Sequence, residues 1–422
     1  MSILIRQAKV IDRQSEYHNK VVDVLIENGK ISDIAKSISK KAKKEISIKG
    51  LHLSQGFTDV FADYREPGYE HKETLATGMK AAAAGGFTQV FLVPNTSPSV
   101  SSKSVLQYIL KKTEDNIVSV YPLGSITQEV EGKQLAEMLD MRQYGAVAFT
   151  DGWKPVQNAA LLLKALEYVK AFEGIVLQMP MDASLASGGL MHEGQMSTRL
   201  GMAGVPTLAE TVFLHRDIEL LRYTNSRLHI TGISTAEGVE MVRKAKKEKL
   251  NITCSVTPYH LALTDEALQY YDSAYKVAPV LRSEKDRQAL IKALNDGIID
   301  CIASHHRPQE WDAKAKEFEY ASEGMNIQEN AFSIVRHAVG DKVALERIID
   351  ALTTRPQEIF PIKASSLAKG KEANISLFLP DEMTTVEEKG LQSMSRNNPF
   401  IGKQLKGKVV GIIHHHQSSL NI

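Results

Sequence analysis

The sequence has little of what marks secreted, membrane-spanning or nucleic-acid-binding proteins. Its two cysteines, Cys254 and Cys301, lie in apolar runs, which argues against a disulfide framework and predicts buried thiols in a reducing compartment. No run of about 18 apolar residues is present, and residues 1–10 lack the pattern of a signal peptide. The formal net charge is only +1, so no general attraction to nucleic acids or anionic membranes is expected. We expect a soluble, cytoplasmic protein without nucleic-acid or membrane partners.

Both ends of the chain have a β pattern. Residues 2–5, 22–26 and 30–34 alternate apolar and polar side chains, and Glu27-Asn28-Gly29 predicts a hairpin turn. Alternation returns at 373–379 and 408–413. We expect residues 1–53 and 366–422 to form one composite β-sandwich domain. An exposed loop is predicted for Lys40, Lys41, Lys43 and Lys44, and an exposed strand end, rather than a metal site, for His414, His415 and His416.

Residues 54–365 have a different pattern, in which short β-branched runs alternate with helical segments. The runs are 56–63, 88–94, 118–124, 146–151, 175–179, 228–233, 252–256 and 299–304. Helices are predicted at 158–171 and 283–295, the first with an apolar stripe of Ala160, Leu161, Leu163, Leu166 and Val169. Eight buried strands with helical crossovers favour a closed (β/α)8 barrel, in the α/β class, over an open sheet. Functional side chains of such a barrel lie where its strands end.

Motifs follow these predicted strands in a fixed order. The first strand ends in Phe61-Ala62-Asp63-Tyr64-Arg65, and later segments include Pro94-Asn95-Thr96, Thr150-Asp151-Gly152, Met191-His192-Glu193-Gly194, Thr257-Pro258-Tyr259-His260 and Arg396-Asn397-Asn398-Pro399. The series closely resembles the dihydroorotase family of cyclic amidohydrolases, in the amidohydrolase superfamily, over nearly the whole chain. The resemblance implies a TIM-type barrel, a place in pyrimidine biosynthesis, and hydrolysis of dihydroorotate to N-carbamoyl-aspartate by a zinc pair.

The resemblance also implies that most ligands of that zinc pair are missing. The positions equivalent to metal ligands hold Phe61, Asp63, Asp151, Gly152, Met179, Gly232 and His305, of which only Asp151 keeps a family-type ligand. His305 also stands where the family has its catalytic aspartate, so it is predicted to be non-functional in that role. Because zinc needs three or four N, O or S ligands, we expect no binuclear site and most simply no cofactor.

The substrate-binding positions are partly retained. Arg65 and Asn95 match family residues that bind the substrate carboxylate, whereas Ala278 and Gln309 depart from the family pattern. Arg65 could still bind a small carboxylate, or it could pair with Asp63 or Asp151. The second outcome is favoured slightly, because an acid near a vacant cation site attracts a guanidinium.

Other side chains near the strand ends allow two interpretations. Asp63, Asp151 and His305, with His306, could bind one metal ion, but a hydrogen-bonded polar cluster is favoured. Trp153 and Trp311 could cap the barrel or form a contact surface, although loop packing is favoured. Gln178 should point away from the barrel interior because it alternates with Met179.

Two hypotheses about function follow. The first is a non-catalytic dihydroorotase homologue that acts as a structural partner of aspartate carbamoyltransferase, as metal-stripped copies in this family do, or as a homo-oligomer. The alternative is an active cyclic amide hydrolase with an altered or mononuclear zinc site. A third, weaker hypothesis is a small-carboxylate sensor that uses Arg65 and Asn95.

Overall fold

The computed structural model describes residues 2–421. The strands are β1 (Ser2–Val10), β2 (Val21–Glu27), β3 (Lys30–Ala35), β4 (Lys44–Ser47), β5 (His52–Gln55), β6 (Phe57–Ala62), β7 (Phe87–Leu92), β8 (Ser119–Pro122), β9 (Val176–Gln178), β10 (Met191–His192), β11 (Gly204–Val205), β12 (Leu228–Ile230), β13 (Ile252–Val256), β14 (Cys301–Ile302), β15 (Asn374–Thr385), β16 (Gln404–His414) and β17 (Gln417–Leu420). The helices are α1 (Leu75–Ala84), α2 (Lys103–Thr113), α3 (Met138–Gln143), α4 (Ala159–Lys170), α5 (Gln195–Leu200), α6 (Leu208–Thr224), α7 (Ala236–Lys247), α8 (Pro258–Ala262), α9 (Glu284–Asn295), α10 (Trp311–Lys314), α11 (Ala331–Val339), α12 (Leu345–Leu352) and α13 (Thr354–Ile359).

The two ends of the chain build one sheet. Its strand order is β17-β16-β15-β5-β1-β2-β3, and β4 also pairs with β1. Strands β2 and β3 form the predicted antiparallel hairpin, whose turn has Asn28 at φ 50° and Gly29 at φ 73°. Two successive positive φ angles are what a tight hairpin turn requires, and Asn-Gly adopts them at low cost. The sequence prediction of this hairpin is therefore confirmed.

Two predictions about charged or polar segments in this sheet need correction. The lysines at 40, 41, 43 and 44 are exposed as predicted, but Lys44 begins strand β4 and so lies outside a loop. His414 is buried, because it ends β16 against the barrel and its Nδ1 donates to the carbonyl of Ile117 at 2.7 Å. Only the two histidines that follow it are exposed.

The barrel closes as a ring of parallel segments. β6, β7 and β8 are hydrogen-bonded in that order, and β9, β12, β13 and β14 form the opposite side. The predicted strand at 146–151 is not regular; it joins the ring through single bridges from Phe149 to Gly124 and Val176. The ring closes where Ala62 pairs with His306. The predicted (β/α)8 barrel is confirmed, with its fourth strand reduced to a bridge.

The helices on the outside of the barrel follow the predicted pattern in part. Helix α9 begins after Ser283, whose side chain accepts from the amide of Asp286 as an N-cap. Helix α4 begins and ends within one residue of its predicted bounds, and its predicted stripe is right at Leu166 and Val169 but wrong at Ala160, which is exposed. The residues of α4 that are buried are Leu162, Ala165, Leu166 and Val169.

Aromatic side chains join the barrel to the terminal sheet. Phe57 of β6, Phe332 of α11 and Phe378 of β15 have ring centroids 5.1 to 5.8 Å apart. Cys254 and Cys301 are fully buried free thiols, as predicted. Within residues 2–421, no helix is long and apolar enough to cross a membrane.

Candidate functional site

Three rings pack together at the mouth of the barrel, which is the end where its strands finish. Phe61 of β6 stacks on His305, which follows β14, with ring centroids 4.4 Å apart. The indole of Trp153 stands edge-on to both, at 5.0 Å from Phe61 and 5.5 Å from His305. Phe61 and His305 are buried almost completely. These three side chains, called the aromatic cluster below, occupy the space where the family resemblance places metal ions.

The backbone of Gly232 leaves room for the His305 ring. A Cβ on residue 232 would lie 2.6 Å from Cε1 of His305, and Gly232 itself has φ +72°. The ligand histidine that the resemblance implies at position 232 would therefore collide with the imidazole now present at 305. Glycine at position 232 and histidine at position 305 are therefore sterically linked.

Hydrogen bonds hold the His305 ring in its neutral form. Its Nε2 lies 2.8 Å from the Thr231 hydroxyl, which itself accepts from Ser255 at 3.0 Å, so the Thr231 proton points to Nε2. Nδ1 then carries the ring proton and has no acceptor within residues 2–421. Burial, followed by repulsion from His260 and His229 when those rings are protonated, lowers the pKa of His305 well below its ordinary value.

Asp63 is bound by its neighbours and is not a free ligand. One carboxylate oxygen accepts from Nε1 of Trp153 at 2.9 Å and pairs with the guanidinium of Arg65 at 3.1 Å. The other accepts from the backbone amide of Arg65 at 3.0 Å. The expected pairing of Arg65 with an acid is confirmed for Asp63 and is wrong for Asp151.

Asp151 faces a different part of the molecule. Its carboxylate accepts from the backbone amides of Ile126 at 2.9 Å and Thr127 at 3.0 Å, and also from the Thr127 hydroxyl. Burial raises the pKa of Asp151 to about 6, against the lowering effect of these donors. Asp151 therefore fixes the segment after β8 to the segment before Trp153.

Asn95 holds that second segment from the other side. Its Nδ2 donates to the Asp151 carbonyl at 3.0 Å, and its Oδ1 accepts from the amide of Trp153 at 3.1 Å. Gly152 lies between them at φ +60°, where any Cβ would overlap the Asn95 amide oxygen. An acid at position 152, as in the family, does not fit this arrangement, and the Asn95 amide is already occupied.

The remaining predicted positions are also dispersed. Met179 is buried, while Gln178 points outward to the buried Asp217 of α6, as predicted. Gln309 accepts from Nζ of Lys72 at 2.8 Å and donates to the Glu323 carbonyl at 2.6 Å. Ala278 contributes its carbonyl, which accepts from the Tyr259 hydroxyl at 3.4 Å.

His306 and Trp311 were expected near the mouth, and neither contributes to it. His306 is buried on the α1 side of the barrel, beside Tyr64 and 3.7 Å from Glu73. The interpretation that His306 shares one polar cluster with Asp63 and Asp151 is therefore wrong. Trp311 is 79% exposed, so it neither caps the mouth nor packs under a loop.

Sequence reasoning missed Arg307. Its guanidinium carbon lies 4.5 Å from the Trp153 ring centroid, and its Nη1 pairs with Glu323 at 3.0 Å. A cation over the indole face stabilises the position of Trp153. The signal that could have found it is an arginine two residues after His305 at a strand end.

The donor set at the mouth does not fit a metal ion. Within residues 2–421, no three side chains of histidine, cysteine, aspartate or glutamate come together as a metal site requires. Asp63 and His305, the candidate ligands at the mouth, are both engaged in the contacts described above.

Comparisons with known proteins agree with the fold. Solved structures with the same architecture include the L-hydantoinase of Arthrobacter aurescens, with a TM-score of 0.86 at 20% identity over 100% of this chain and 97% of that one. The dihydropyrimidinase of Brevibacillus agri gives a TM-score of 0.83 at 21% identity over 100% of this chain and 95% of that one. The molecule thus has the fold of these proteins, a (β/α)8 barrel carried on a sheet built from both ends of the chain.

Sequence comparisons identify the family to which this chain belongs. Residues 51–238 match the family model described as dihydro-orotase-like. The chain is 39% identical to the dihydroorotase of Syntrophus aciditrophicus over 97% of both chains, and 38% identical to that of Geobacter metallireducens over 96% of both. The chain belongs to the dihydroorotase family, which acts in pyrimidine biosynthesis.

Proposed function

We propose that this protein is a non-catalytic member of the dihydroorotase family that serves as a structural partner of aspartate carbamoyltransferase. The observation that carries the proposal is the aromatic cluster of Phe61, Trp153 and His305, which takes up the barrel mouth. The family's chemistry needs a metal-activated water and a proton shuttle. Here a phenyl ring, a thioether and a glycine stand at Phe61, Met179 and Gly232, where imidazoles would be needed.

The side chain at the proton-shuttle position also supports this proposal. His305 is buried, neutral and hydrogen-bonded through Nε2 to Thr231. A general acid or base works best with a pKa near the working pH and within reach of its substrate. His305 has a strongly lowered pKa and is covered by Phe61 and Trp153.

Exposed aromatic side chains support the partner role. Trp311 and Tyr320 are 79% and 68% exposed, and Tyr270 is 82% exposed. They lie on two segments that follow barrel strands and pack together, since Ser273 donates to the Lys314 carbonyl at 2.6 Å. Large exposed tryptophan and tyrosine side chains are enriched in the binding centres of protein interfaces.

Metal analysis and an activity assay test the non-catalytic part. We expect purified, dialysed protein to contain well under one zinc per chain and to show no dihydroorotate hydrolysis above buffer, with or without added zinc. The alternative, an active enzyme with a mononuclear site, draws its support from the 39% identity to a dihydroorotase. About one firmly bound metal per chain together with turnover would establish that alternative and refute the proposal.

The partner role is tested by co-purification with the aspartate carbamoyltransferase of the same organism. We expect a complex by size-exclusion chromatography that weakens at least tenfold when Trp311 and Tyr320 are both changed to alanine. Tyr223, on the outer helix α6 and 77% exposed, is the matched control, and Tyr223→Ala should leave the complex intact. Absence of a complex with the wild-type chain would refute this role.

A further inference from the structure

A second cleft lies at the opposite end of the barrel from the mouth. It has a volume of about 570 Å³ and opens between the beginning of β8, the segment after α13, the beginning of β15 and the end of β16. Small-molecule sites commonly have volumes of about 300 to 1,000 Å³. The cleft is therefore large enough for a metabolite, and it is independent of the aromatic cluster and of the function proposed above.

The rim of this cleft carries excess positive charge. Lys30, Lys363 and Lys371 line it, and Glu372 is the only acidic residue among its lining residues. Glu372 is paired with Lys363 at 2.6 Å, whereas Lys30 and Lys371 form no ion pair within residues 2–421. In a chain whose formal charge is only +1, two unpaired lysines at one rim favour an anionic group there.

The inner wall is polar but uncharged. Tyr121 accepts at its hydroxyl from Nε2 of Gln89 at 3.2 Å, which leaves the hydroxyl proton to donate. Asn374 is only 7% exposed; its Oδ1 is buried beside Gly56, and its Nδ2 makes no hydrogen bond within residues 2–421. The amide nitrogen is therefore left to donate to a ligand in the cleft.

His414 adds an acceptor to the same wall. Its Nδ1 donates to the Ile117 carbonyl at 2.7 Å, and burial lowers the pKa of the ring to about 4, so the ring is neutral at pH 7. Nε2 then keeps a lone pair. The wall thus offers donors at Tyr121 and Asn374 and an acceptor at His414, a mixture that suits hydroxyl groups and base edges.

We propose that this cleft binds a nucleoside monophosphate, with the phosphate between Lys30 and Lys371 and the nucleoside against Tyr121, Asn374 and His414. Lysine ammonium groups bind phosphate as point charges, and the neutral wall matches the uncharged part of the ligand. This assigns a ligand site to the end of the barrel that carries no residue of the dihydroorotase motifs.

Binding of uridine and adenosine 5′-monophosphates to the full chain tests this site, by calorimetry and thermal shift. Either nucleotide should give a saturable rise in melting temperature. Lys371→Glu should weaken that binding at least tenfold, and Tyr121→Phe about threefold to tenfold. Lys41→Glu, the same charge change at an exposed lysine elsewhere, should leave the affinity within twofold.

Three results would overturn the proposal. The first is no saturable binding of either nucleotide at 10 mM. The second is an equal loss in Lys371→Glu and Lys41→Glu, which would show only a diffuse attraction between charges. The third is inorganic phosphate binding as tightly as both nucleotides, which would reduce the cleft to a simple anion site.

Discussion

At the residue scale, the departures from the family pattern are mutually dependent. Gly232 has no Cβ, and the nearest atom of the His305 ring lies only 2.6 Å from where that Cβ would be. Gly152 in the same way makes room for the Asn95 amide that holds Trp153. In each pair, one residue lacks a side chain and the other occupies the space. A single substitution that adds a side chain at the glycine would therefore clash with its neighbour.

A double-mutant cycle measures the coupling between Gly232 and His305. Gly232→Ala should lower the free energy of unfolding by about 2 to 4 kcal/mol, from the contact with His305 and from the positive φ. In a His305→Ala background the contact is absent, so Gly232→Ala should cost only the strain of a positive φ, about 1 kcal/mol. Urea denaturation of the four proteins gives the coupling, and simple additivity within about 0.5 kcal/mol would contradict the steric link.

Arg65 yields a prediction about ligand binding at the mouth. Because its guanidinium is paired with Asp63 at 3.1 Å, a carboxylate ligand must break that pair before it can bind. We expect millimolar dihydroorotate to give no saturable change in melting temperature. A clear rise that disappears in Arg65→Ala would instead support the small-carboxylate sensor.

At the element scale, the mouth is assembled from segments far apart in the sequence. Phe61 ends β6, Trp153 follows the bridge at Phe149, and His305 follows β14. The barrel brings them together because all parallel strands end at one face. The same geometry would gather the ligands of a metal, so under the proposed function a metal site would have to be rebuilt on several elements at once.

Restoring the first-strand pair alone should therefore fail. Phe61→His combined with Asp63→His leaves Met179 and Gly232 without ligand atoms and leaves His305 and Trp153 in the mouth. Groups that act as one catalytic unit are strongly non-additive. We expect no dihydroorotate hydrolysis and less than one zinc per chain. An active dihydroorotase under the same conditions is the positive control, and measurable turnover by the double variant would show that the site lies elsewhere.

At the scale of the whole molecule, buried titratable groups change the stability of the fold in opposite directions as the pH falls. Burial lowers the pKa of His229 and His260 to about 4, and raises the pKa of Asp217 to about 7. Between pH 6.5 and about 4 the unfolded chain binds more protons at the histidines, so their effect lowers stability as pH falls. Asp217 is protonated more readily in the folded chain, so its effect lowers stability as pH rises from about 4 to 7. The two effects partly cancel.

A single variant separates these effects. His229→Gln should be less stable than the wild type at pH 7, because His229 is bonded to Thr253 at 2.8 Å and Ser255 at 3.2 Å. This difference should shrink by about 1.4 kcal/mol per pH unit between pH 6.5 and about 4, since only the wild type loses stability through this histidine. Urea denaturation across this range measures it, with His416→Gln at an exposed position as the control. A constant difference would contradict a neutral buried His229.

The sequence by itself determined the architecture and the family. Periodicity located seven of the eight barrel strands, the Asn28-Gly29 hairpin and helix α9, because local patterns of burial and turn chemistry are properties of neighbouring residues. The order of the strand-end motifs identified the family for the same reason. The strand at 146–151 and the stripe of α4 were mispredicted, since a bridge at Phe149 and the burial of Leu162 depend on neighbours distant in sequence.

Only the tertiary structure decided how the mouth is filled. Asp63, Asp151 and His306 could be placed at strand ends from the sequence, but their side chains face three different surroundings. Trp153 became part of the site because its ring stands edge-on to Phe61 and His305, and Arg307 because its guanidinium lies over the Trp153 ring. The direction of a side chain is set by the packing of several distant segments, and a linear pattern does not contain that information.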